Sequence, residues 1–231
     1  MSARLHGAVC AVTGASTGLG RAIAEALADE GARAIGFARR FRTPRLEALP
    51  APGAIAEVAL DVRDEDAVSS RFAEVGPIDV LVLCAGVAEF AAALDTEPAA
   101  LREMLDVYVV GSFLCARAAL PAMRGRGRGH IVSIDSVATA QAFPESCAYT
   151  AAKSGQRGLM RVLAEEARPW GVRVSRIAPG AIDTPLWDAR PGFDRSAMMR
   201  PAEVAGLIVD IIRRPGVSVE EMLVIPPGGN L

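Results

Sequence analysis

Two side chains that could exchange a proton stand four residues apart, in the run Tyr149-Thr-Ala-Ala-Lys153. On a helix this spacing places the phenol and the ammonium on one face. A free tyrosine has a pKa of about 10, and a neighbouring cation stabilises its phenolate, which favours proton transfer at neutral pH. Such pairs also arise by chance, but Lys153 is the only lysine among 25 lysines and arginines, and Tyr149 is one of 2 tyrosines. We therefore predict that Tyr149 is a catalytic acid/base assisted by Lys153.

A serine hydroxyl is predicted at the end of a strand that precedes this pair in the chain. Ser136 comes just after the apolar run Ile131–Ile134, where a hydroxyl could hydrogen-bond a substrate oxygen while the tyrosine transfers the proton. Ser133 is the alternative hydroxyl, but it lies within the predicted strand. The sequence therefore favours Ser136 as the third catalytic residue.

A glycine-rich turn, Thr13-Gly-Ala-Ser-Thr-Gly-Leu-Gly20, follows the first predicted strand and opens a helix. Glycines permit a tight turn and let backbone N–H groups approach a pyrophosphate, while the helix N-terminus favours the negative charge. A turn of this composition can also be an ordinary strand-to-helix connection. Because this one heads a strand–helix–strand unit, it predicts a dinucleotide-binding loop.

The end of the second predicted strand distinguishes the two nicotinamide cofactors. An acidic residue there would bind the ribose 2′-hydroxyl of NAD, whereas an arginine accommodates the 2′-phosphate of NADP. The chain has Arg39-Arg40 at this place and no acid. These are two arginines in an arginine-rich chain, yet the missing carboxylate also disfavours NAD. We therefore predict NADP(H), with NAD less favoured.

Short apolar runs alternate with longer amphipathic stretches along the chain. The predicted strands are Ala8–Val12, Ala34–Phe37, Ile55–Leu60, Val80–Cys84, His130–Ile134, Val172–Ile177 and Met222–Ile225. The predicted helices are Leu19–Glu30, Glu65–Glu74, Ala99–Met123, Tyr149–Ala167 and Pro201–Arg213. This alternation is typical of right-handed crossovers and of a parallel sheet covered on both faces. The sequence thus predicts an α/β fold with a doubly wound parallel sheet.

Two segments interrupt this alternation. The proline-rich stretch Thr43–Gly53 is predicted to be a loop with at most one helical turn. The longer stretch Pro179–Arg200 carries three prolines and two large aromatic residues after the sixth strand. Long irregular insertions in a folded domain are usually functional or mobile. Residues 179–200 are therefore our candidate substrate lid.

Length and charge limit the classes of function. The 231 residues fit one domain, 1–231, because single cores grow to roughly 250 residues. The net charge of −2 gives no general reason to expect nucleic acid or an anionic membrane as a partner. The apolar runs are far shorter than the roughly 20 residues of a membrane helix, and no secretory signal is visible. Four cysteines without a C-x-x-C pair favour a reducing cytoplasm.

These motifs occur in the order and spacing of the short-chain dehydrogenase/reductase family, which the chain resembles over nearly its whole length. Besides the glycine turn and the Ser/Tyr/Lys set, the shared features are Asp61-Val62 after the third strand, Ala85-Gly86 after the fourth and Pro179-Gly180 after the sixth. The resemblance implies a Rossmann sheet of seven strands in the order 3-2-1-4-5-6-7. It also implies a homodimer or homotetramer that packs through the helices Ala99–Met123 and Tyr149–Ala167.

The resemblance implies roles for individual residues as well. Tyr149 would be the acid/base, Ser136 would orient the substrate oxygen, and Lys153 would bind the nicotinamide ribose and lower the pKa of the tyrosine. No metal site is implied. The remaining cofactor contacts would come from Gly14, Ser16, Gly18 and Leu19 at the phosphates, Arg39 at the 2′-phosphate, Asp61 and Val62 at the adenine, Ala85 and Gly86, Pro179 and Gly180, and Ile182 and Thr184 at the nicotinamide amide.

The chain departs from the family pattern at two places. Where the family has Asn-Asn-Ala-Gly, this chain has Leu83-Cys-Ala-Gly86, which bears on how the central sheet is tied together. Where the family has an asparagine in the helix after the fourth strand, this chain has Tyr108. That asparagine helps to hold a water in the proton relay to the lysine. Tyr108 could fill the water's site, or its hydroxyl could replace the water; we favour replacement, because a buried phenol normally finds a hydrogen-bond partner.

The predicted function is hydride transfer between NADP(H) and the carbonyl or secondary alcohol of a small molecule. The alternative is a cofactor-binding sensor or scaffold with weak turnover, which Tyr108 and Cys84 motivate and the intact Ser/Tyr/Lys set disfavours.

The short segment Arg124–Gly129 is interpreted as a solvated loop, because it lacks the aromatic residues of an RNA-contacting segment. Six apolar residues near the predicted site indicate an apolar pocket but do not identify the substrate: Phe90, Val137, Ala138, Phe143, Trp187 and Phe193.

Overall fold

Seven strands form one parallel sheet in the computed structural model of the chain, which describes residues 5–188 and 192–229. The strands are β1 (Val9–Thr13), β2 (Arg33–Ala38), β3 (Ile55–Ala59), β4 (Val80–Leu83), β5 (Gly129–Ile134), β6 (Val172–Pro179) and β7 (Glu221–Val224). Their order is β3-β2-β1-β4-β5-β6-β7, and neighbouring strands run parallel. The predicted doubly wound α/β fold and its strand order are confirmed.

Helices cover both faces of this sheet. On one face α1 (Gly18–Asp29) packs beside α6 (Pro201–Ile212). The other face is covered by α2 (Glu65–Val75), α4 (Ser112–Arg126) and α5 (Cys147–Ala167). A shorter helix, α3 (Pro98–Leu105), precedes α4 in the chain and contacts α5.

The central strands are apolar on both faces because helices cover both sides. All four residues of β4, Val-Leu-Val-Leu, are buried. Alternate side chains enter opposite cores: Ala11 and Leu81 pack toward α2, α4 and α5, whereas Val12 and Val82 pack toward α1 and α6. Because parallel strands all end at one edge of the sheet, the residues that follow β1, β2, β4 and β5 meet there.

The long helix predicted over Ala99–Met123 is interrupted in the structure. A π-helical turn, Asp106–Gly111, separates α3 from α4. A π turn inserts an extra residue into a helix and is frequent at functional sites. A hydrophobic pattern read with a period of 3.6 does not reveal such an insertion. Here the turn carries Tyr108 into the buried interior.

The predicted loop Thr43–Gly53 contains no helix or strand. Hydrogen bonds attach it to its surroundings: the Leu46 N–H donates to a carboxylate oxygen of Glu74 in α2 at 3.0 Å. At its other end the Arg33 guanidinium, at the start of β2, donates to the carbonyl of Pro50 at 2.7 Å. The loop is therefore tied to α2 and to the start of β2.

The candidate lid, residues 179–200, begins at the last residue of β6, and its described residues include two short 3₁₀ turns, Pro185–Trp187 and Arg195–Ala197. A main-chain bridge between Ile182 and Met199 closes the base of the segment. Residues 189–191, which include one of its three prolines, lie outside the described residues.

Among the residues that the structure describes, one helical stretch, Pro98–Arg126, is long and apolar enough to cross a membrane by length and composition. The uninterrupted apolar runs in the sequence did not lead us to expect such a stretch. Half of its most apolar window is buried within the protein. Part of that burial comes from α4, which contributes Leu114, Cys115 and Met123 to the core beneath the sheet.

Candidate active site

A cleft of about 970 Å³ runs along the edge at which the parallel strands end. It extends from the glycine turn after β1 to the segment that follows β6. Every residue predicted for catalysis or cofactor binding lines this cleft: Gly14, Ser16, Gly18, Leu19, Arg39, Asp61, Val62, Ala85, Gly86, Ser136, Tyr149, Lys153, Pro179, Gly180, Ile182 and Thr184. The fold thus brings the predicted residues to one place, while their individual roles stay predictions.

The glycine turn lies close against neighbouring backbone. Gly14 has a φ of +71°, and a Cβ there would lie 2.7 Å from the Cα of Ala85. A Cβ at Gly20 would lie 2.4 Å from the carbonyl oxygen of Gly14. Both positions therefore require glycine. Helix α1 begins at Gly18 without a side-chain cap, so its first N–H groups are available to an anion.

Thr13, the last residue of β1, ties the two central strands together. Its hydroxyl accepts hydrogen bonds from the N–H groups of Cys84 and Ala85, each at 3.0 Å, and donates to the carbonyl of Val82 at 3.4 Å. The tie uses backbone groups, so it does not depend on the side chain at position 84, where the family has asparagine. Sequence reasoning missed this role; the signal was a lone threonine at the end of an apolar strand.

Tyr149 and Ser136 both line the cleft. The Ser136 hydroxyl is held in place, because it accepts a hydrogen bond from the Ala138 N–H at 3.1 Å. Burial raises the pKa of Tyr149 to about 12, the nearby Ser136 hydroxyl lowers it, and the charge of Asp135 raises it. Lys153 is not among the groups that shift this pKa, so the lowering by Lys153 that the family resemblance implies stays a prediction. Tyr149 is therefore protonated at neutral pH and able to donate a proton.

Lys153 is buried, with 4% of its surface exposed. Its Nζ donates to the carbonyl oxygen of Ile134 at 2.6 Å and to Oε1 of Gln156 at 3.1 Å. The Gln156 amide in turn donates to the Ser112 hydroxyl at 2.8 Å. Burial lowers the pKa of Lys153 to about 8, and the charge of Asp135 acts in the opposite direction. Gln156, which fixes the ammonium, was not among the predicted site residues.

The Tyr108 ring packs between the lysine and the backbone after β4. Its centre lies 4.0 Å from the Nζ of Lys153 and 5.8 Å from the centre of the Tyr149 ring, which it meets edge to face. The Tyr108 hydroxyl donates to the carbonyl of Val87 at 2.7 Å, and a Cβ at Gly86 would lie 2.7 Å from it. The hydroxyl thus binds backbone, and the ring faces the ammonium. This geometry favours the alternative in which Tyr108 fills the site of the relay water. It disfavours the one in which the Tyr108 hydroxyl takes the water's place in the relay.

Asp135 is a site residue that sequence reasoning missed. It follows β5, precedes Ser136 and lines the cleft with 3% of its surface exposed. Neither carboxylate oxygen has a hydrogen bond of normal geometry. Burial raises the pKa of this carboxyl group to about 6, against the charge of Lys153, which lowers it. The available signal was an acidic residue between an apolar strand and the candidate serine.

Charged side chains gather at the end of the cleft near β2. Arg39 and Arg40 line the cleft there, and the guanidinium of Arg39 lies 3.7 Å from a carboxylate oxygen of Glu103. Arg63 pairs with Glu103 at 3.3 Å and with Asp61 at 2.6 Å, and the hydrogen bond from Arg63 lowers the pKa of Asp61. No acid stands at the end of β2, as predicted. Helix α3 nevertheless brings Glu103 beside Arg39, which the sequence did not reveal.

Aromatic side chains line the cleft beside Tyr149 and in the candidate lid. The rings of Phe90 and Tyr149 lie 5.5 Å apart, and those of Trp187 and Phe193 lie 5.0 Å apart. The candidate lid contributes both members of the second pair. All the apolar residues singled out in the sequence line the cleft: Phe90, Val137, Ala138, Phe143, Trp187 and Phe193.

The sequence of the chain is similar to those of known proteins. The profile of a family described as short chain dehydrogenase matches residues 8–192. The cis-4-hydroxycyclohexanecarboxylate dehydrogenase of Sinomonas cyclohexanicum is 38% identical over 216 residues, which is 87% of this chain and 87% of that protein. Glycine betaine reductase ATRR of Emericella nidulans is 33% identical over 96% of this chain, which matches only 19% of that longer protein.

Solved structures share the fold over nearly the whole chain. A short chain dehydrogenase/reductase family protein superposes with a TM-score of 0.87 at 28% identity, covering 98% of this chain and 99% of that one. A metagenomic short-chain oxidoreductase in complex with NADP superposes with a TM-score of 0.80 at 33% identity, covering 97% of this chain and 99% of the other. The likeness therefore includes the elements on both sides of the cleft.

Proposed function

The chain belongs to the short-chain dehydrogenase/reductase family, and on this premise we propose that it transfers a hydride between NADP(H) and a carbonyl or secondary alcohol. The observation that carries the proposal is the grouping of Tyr149, Ser136 and Lys153 in one cleft whose other end is a glycine turn. A proton donor, a hydroxyl that can hold the substrate oxygen and a buried ammonium are the groups that reversible carbonyl reduction requires.

The glycine end of the cleft suits a dinucleotide. Gly14 and Gly20 let the turn pack tightly against neighbouring backbone, and the uncapped start of α1 offers N–H groups to phosphate. A bound nicotinamide would supply or accept the hydride. The residues that would hold the cofactor are Gly14, Ser16, Gly18 and Leu19 at the phosphates, Asp61 and Val62 at the adenine, and Ala85, Gly86, Pro179, Gly180, Ile182 and Thr184 along the nicotinamide half.

The chain's own residues divide the proton chemistry among them. Tyr149 donates its phenol proton to the carbonyl oxygen during reduction, and its pKa of about 12 keeps that proton in place at neutral pH. Ser136, fixed by the Ala138 N–H, orients the same oxygen. Lys153 holds an ammonium on the same helix, from which a proton can return to the phenolate.

We propose NADP(H) as the preferred cofactor over NAD(H). Arg39 and Arg40 line the cleft where the adenosine 2′-phosphate would lie, and a guanidinium pairs well with phosphate. The related metagenomic oxidoreductase was solved in complex with NADP, and an alcohol dehydrogenase of similar fold from Thermococcus sibiricus was solved with 5-hydroxy-NADP. Both findings support the proposal for this chain.

The remaining parts of the molecule have roles in the same proposal. Residues 1–231 act as one domain, and residues 179–200 act as the lid that places an apolar surface over the substrate. A homodimer or homotetramer would cover the large apolar side chains that α4 and α5 leave exposed, of which Phe113 is 44% and Val162 is 59% exposed. Light scattering would test the assembly, and a monomer mass at all concentrations would refute it.

The experiment that tests the proposed function is NADPH oxidation with a panel of ketones, aldehydes, quinones and 3-oxoacyl compounds. At least one carbonyl class should be reduced, and Tyr149→Phe should lower that rate by roughly 10²- to 10⁴-fold while NADPH binding is retained. Binding of NADPH without turnover of any compound would instead support a sensor or scaffold. Near-normal turnover in the Tyr149→Phe variant would assign the proton transfer to another group.

A further inference from the structure

Asp135 occupies a rigid place beside the candidate catalytic residues. Its backbone N–H donates to the carbonyl of Ile177 in β6 at 2.7 Å. The carbonyl of the preceding residue, Ile134, accepts the hydrogen bond from the Lys153 ammonium at 2.6 Å. The ammonium therefore touches the peptide unit that leads directly into Asp135.

The carboxylate of Asp135 is buried at an energetic disadvantage. Only 3% of the residue is exposed, and neither oxygen has a hydrogen bond of normal geometry, although the Ser136 N–H is near enough to lower the pKa of the group. A buried carboxylate without such bonds is costly unless a positive charge compensates it. The neighbouring charges therefore decide whether the group is ionised.

Three charged side chains act on Asp135: Lys153 and Arg157 from α5, and Glu221 from β7. Arg157 is already engaged, because its guanidinium pairs with Glu221 at 2.7 Å and donates to the carbonyl of Thr139 at 3.3 Å. The positive charge that remains to compensate the Asp135 carboxylate is the ammonium of Lys153.

Lys153 in turn lacks any other anionic partner among the described residues that act on it. Its hydrogen-bond acceptors, the Ile134 carbonyl and the Gln156 amide, are neutral, and Tyr108 presents the face of its ring. Cys84 also faces the lysine, but burial raises the pKa of that thiol to about 11, so it is uncharged at neutral pH. Tyr149 is likewise protonated there.

We propose that Asp135 is a positioning residue whose buried carboxylate is the counter-charge that keeps Lys153 protonated beside Tyr149. The importance of this charge for turnover rests on the proposed function. With pKa values of about 6 for Asp135 and about 8 for Lys153, both groups are charged between these two pH values. Within this range the lysine can return a proton to the tyrosine after each reduction.

The single lysine of the chain allows a direct test. After incorporation of ¹³C- and ¹⁵N-labelled lysine, one lysine side-chain resonance reports the titration of Lys153 without any need for turnover. In Asp135→Asn we expect its midpoint to fall by about one pH unit or more, since an opposite charge nearby favours the charged form. The Asp135→Ser variant should shift it in the same direction, and it provides a second reading if Asp135→Asn folds poorly.

Glu221→Gln is the matched control, because it also removes one carboxylate from this region but leaves Asp135 in place. Its Lys153 midpoint should stay near that of the unmodified protein. An unchanged midpoint in both Asp135 variants would overturn the proposal. An equal shift in Glu221→Gln would overturn it too, because the effect would then be one of general charge.

Steady-state rates extend the test to catalysis. If the protein reduces a carbonyl, the decline of kcat at high pH should begin at a lower pH in Asp135→Asn, with several-fold loss at about pH 8 and little loss at about pH 6. An unaltered pH profile of kcat would contradict the role in turnover. Absence of turnover in the unmodified protein would refute the proposed function alone, because the titration of Lys153 is measured separately.

Discussion

The ammonium of Lys153 lies 4.0 Å from the centre of the Tyr108 ring, while the hydroxyl of that ring binds the carbonyl of Val87 at 2.7 Å. A cation over an aromatic face is stabilised by the ring's electrons without transfer of a proton. The hydroxyl, which could take part in a relay, is directed to backbone. The tyrosine therefore stabilises the lysine's charge in a position where the family has an asparagine that holds water.

Tyr108→Phe separates these two roles, because it removes the hydroxyl and keeps the ring. We expect the pH dependence of kcat to be unchanged, since the ring still faces Lys153. Stability should fall by about 1 kcal/mol, because the partly buried Val87 carbonyl loses its donor. Urea unfolding and a pH–rate series measure the two effects. A marked loss of rate with intact NADPH binding would show that the hydroxyl belongs to the relay after all.

The two directions of the reaction should respond differently to pH. Reduction uses protonated Tyr149, whose pKa of about 12 keeps it protonated throughout the neutral range. Alcohol oxidation needs the phenolate, whose fraction rises about tenfold per pH unit below that pKa. We expect kcat/KM for oxidation to rise with pH up to about 8, where Lys153 is half deprotonated, and kcat/KM for reduction to stay flat over the same range. A plateau in oxidation at neutral pH would contradict the high pKa.

Cofactor preference should depend on Arg39 and on the carboxylate beside it. Arg39→Asp should lower the ratio of kcat/KM for NADPH over NADH by on the order of tenfold or more, because a charge-assisted contact to phosphate is lost. Glu103→Gln should raise the ratio, because Arg39 then has no anionic competitor 3.7 Å away. Arg42→Asp changes the same charge on the exposed loop after β2, outside the cleft lining, and serves as the control. Equal kcat/KM for both cofactors in the unmodified protein would refute the preference.

Local patterns predicted the parallel α/β fold, the glycine turn and the Tyr/Lys pair, because apolar periodicity and motif spacing depend on residues close in the chain. The strand order and the other cofactor residues were predicted from the family resemblance. The features that were missed depend on contacts between distant segments. Glu103 reaches Arg39 only because the fold brings α3 near the residue that follows β2. The acceptor of the Tyr108 hydroxyl is a backbone carbonyl, which has no side-chain signature. The neighbours of Asp135 became visible only when α5 and β7 were in place.

A buried histidine in β5 should make the protein less stable in acid. His130 is 2% exposed, its Nε2 lies 2.8 Å from the Ser175 hydroxyl, and burial lowers its pKa to about 3. Below about pH 6.5 the unfolded chain binds a proton at this histidine that the folded chain does not. The free energy of unfolding therefore decreases as the pH is lowered. Between about pH 7 and about pH 5 the loss from this group is about 2 kcal/mol.

Urea unfolding at those two pH values measures that loss. His130→Gln should reduce it, whereas His6→Gln, which removes an exposed imidazole, should leave it in place. Asp135 is present in both variants, so its opposite pH effect cancels in the comparison. The same loss in all three proteins would mean that His130 does not cause the acid sensitivity.

The burial of the only lysine also determines how the folded protein meets amine-directed reagents. Acid anhydrides and active esters attack neutral amines, and the other 24 members of the lysine and arginine set are arginines, which carry no such group. With 4% of Lys153 exposed, the described surface offers these reagents no side-chain amine. Acylation of Lys153 would therefore require the cleft to open. A reagent that labels most proteins at many sites would here measure the rate of opening at a single site.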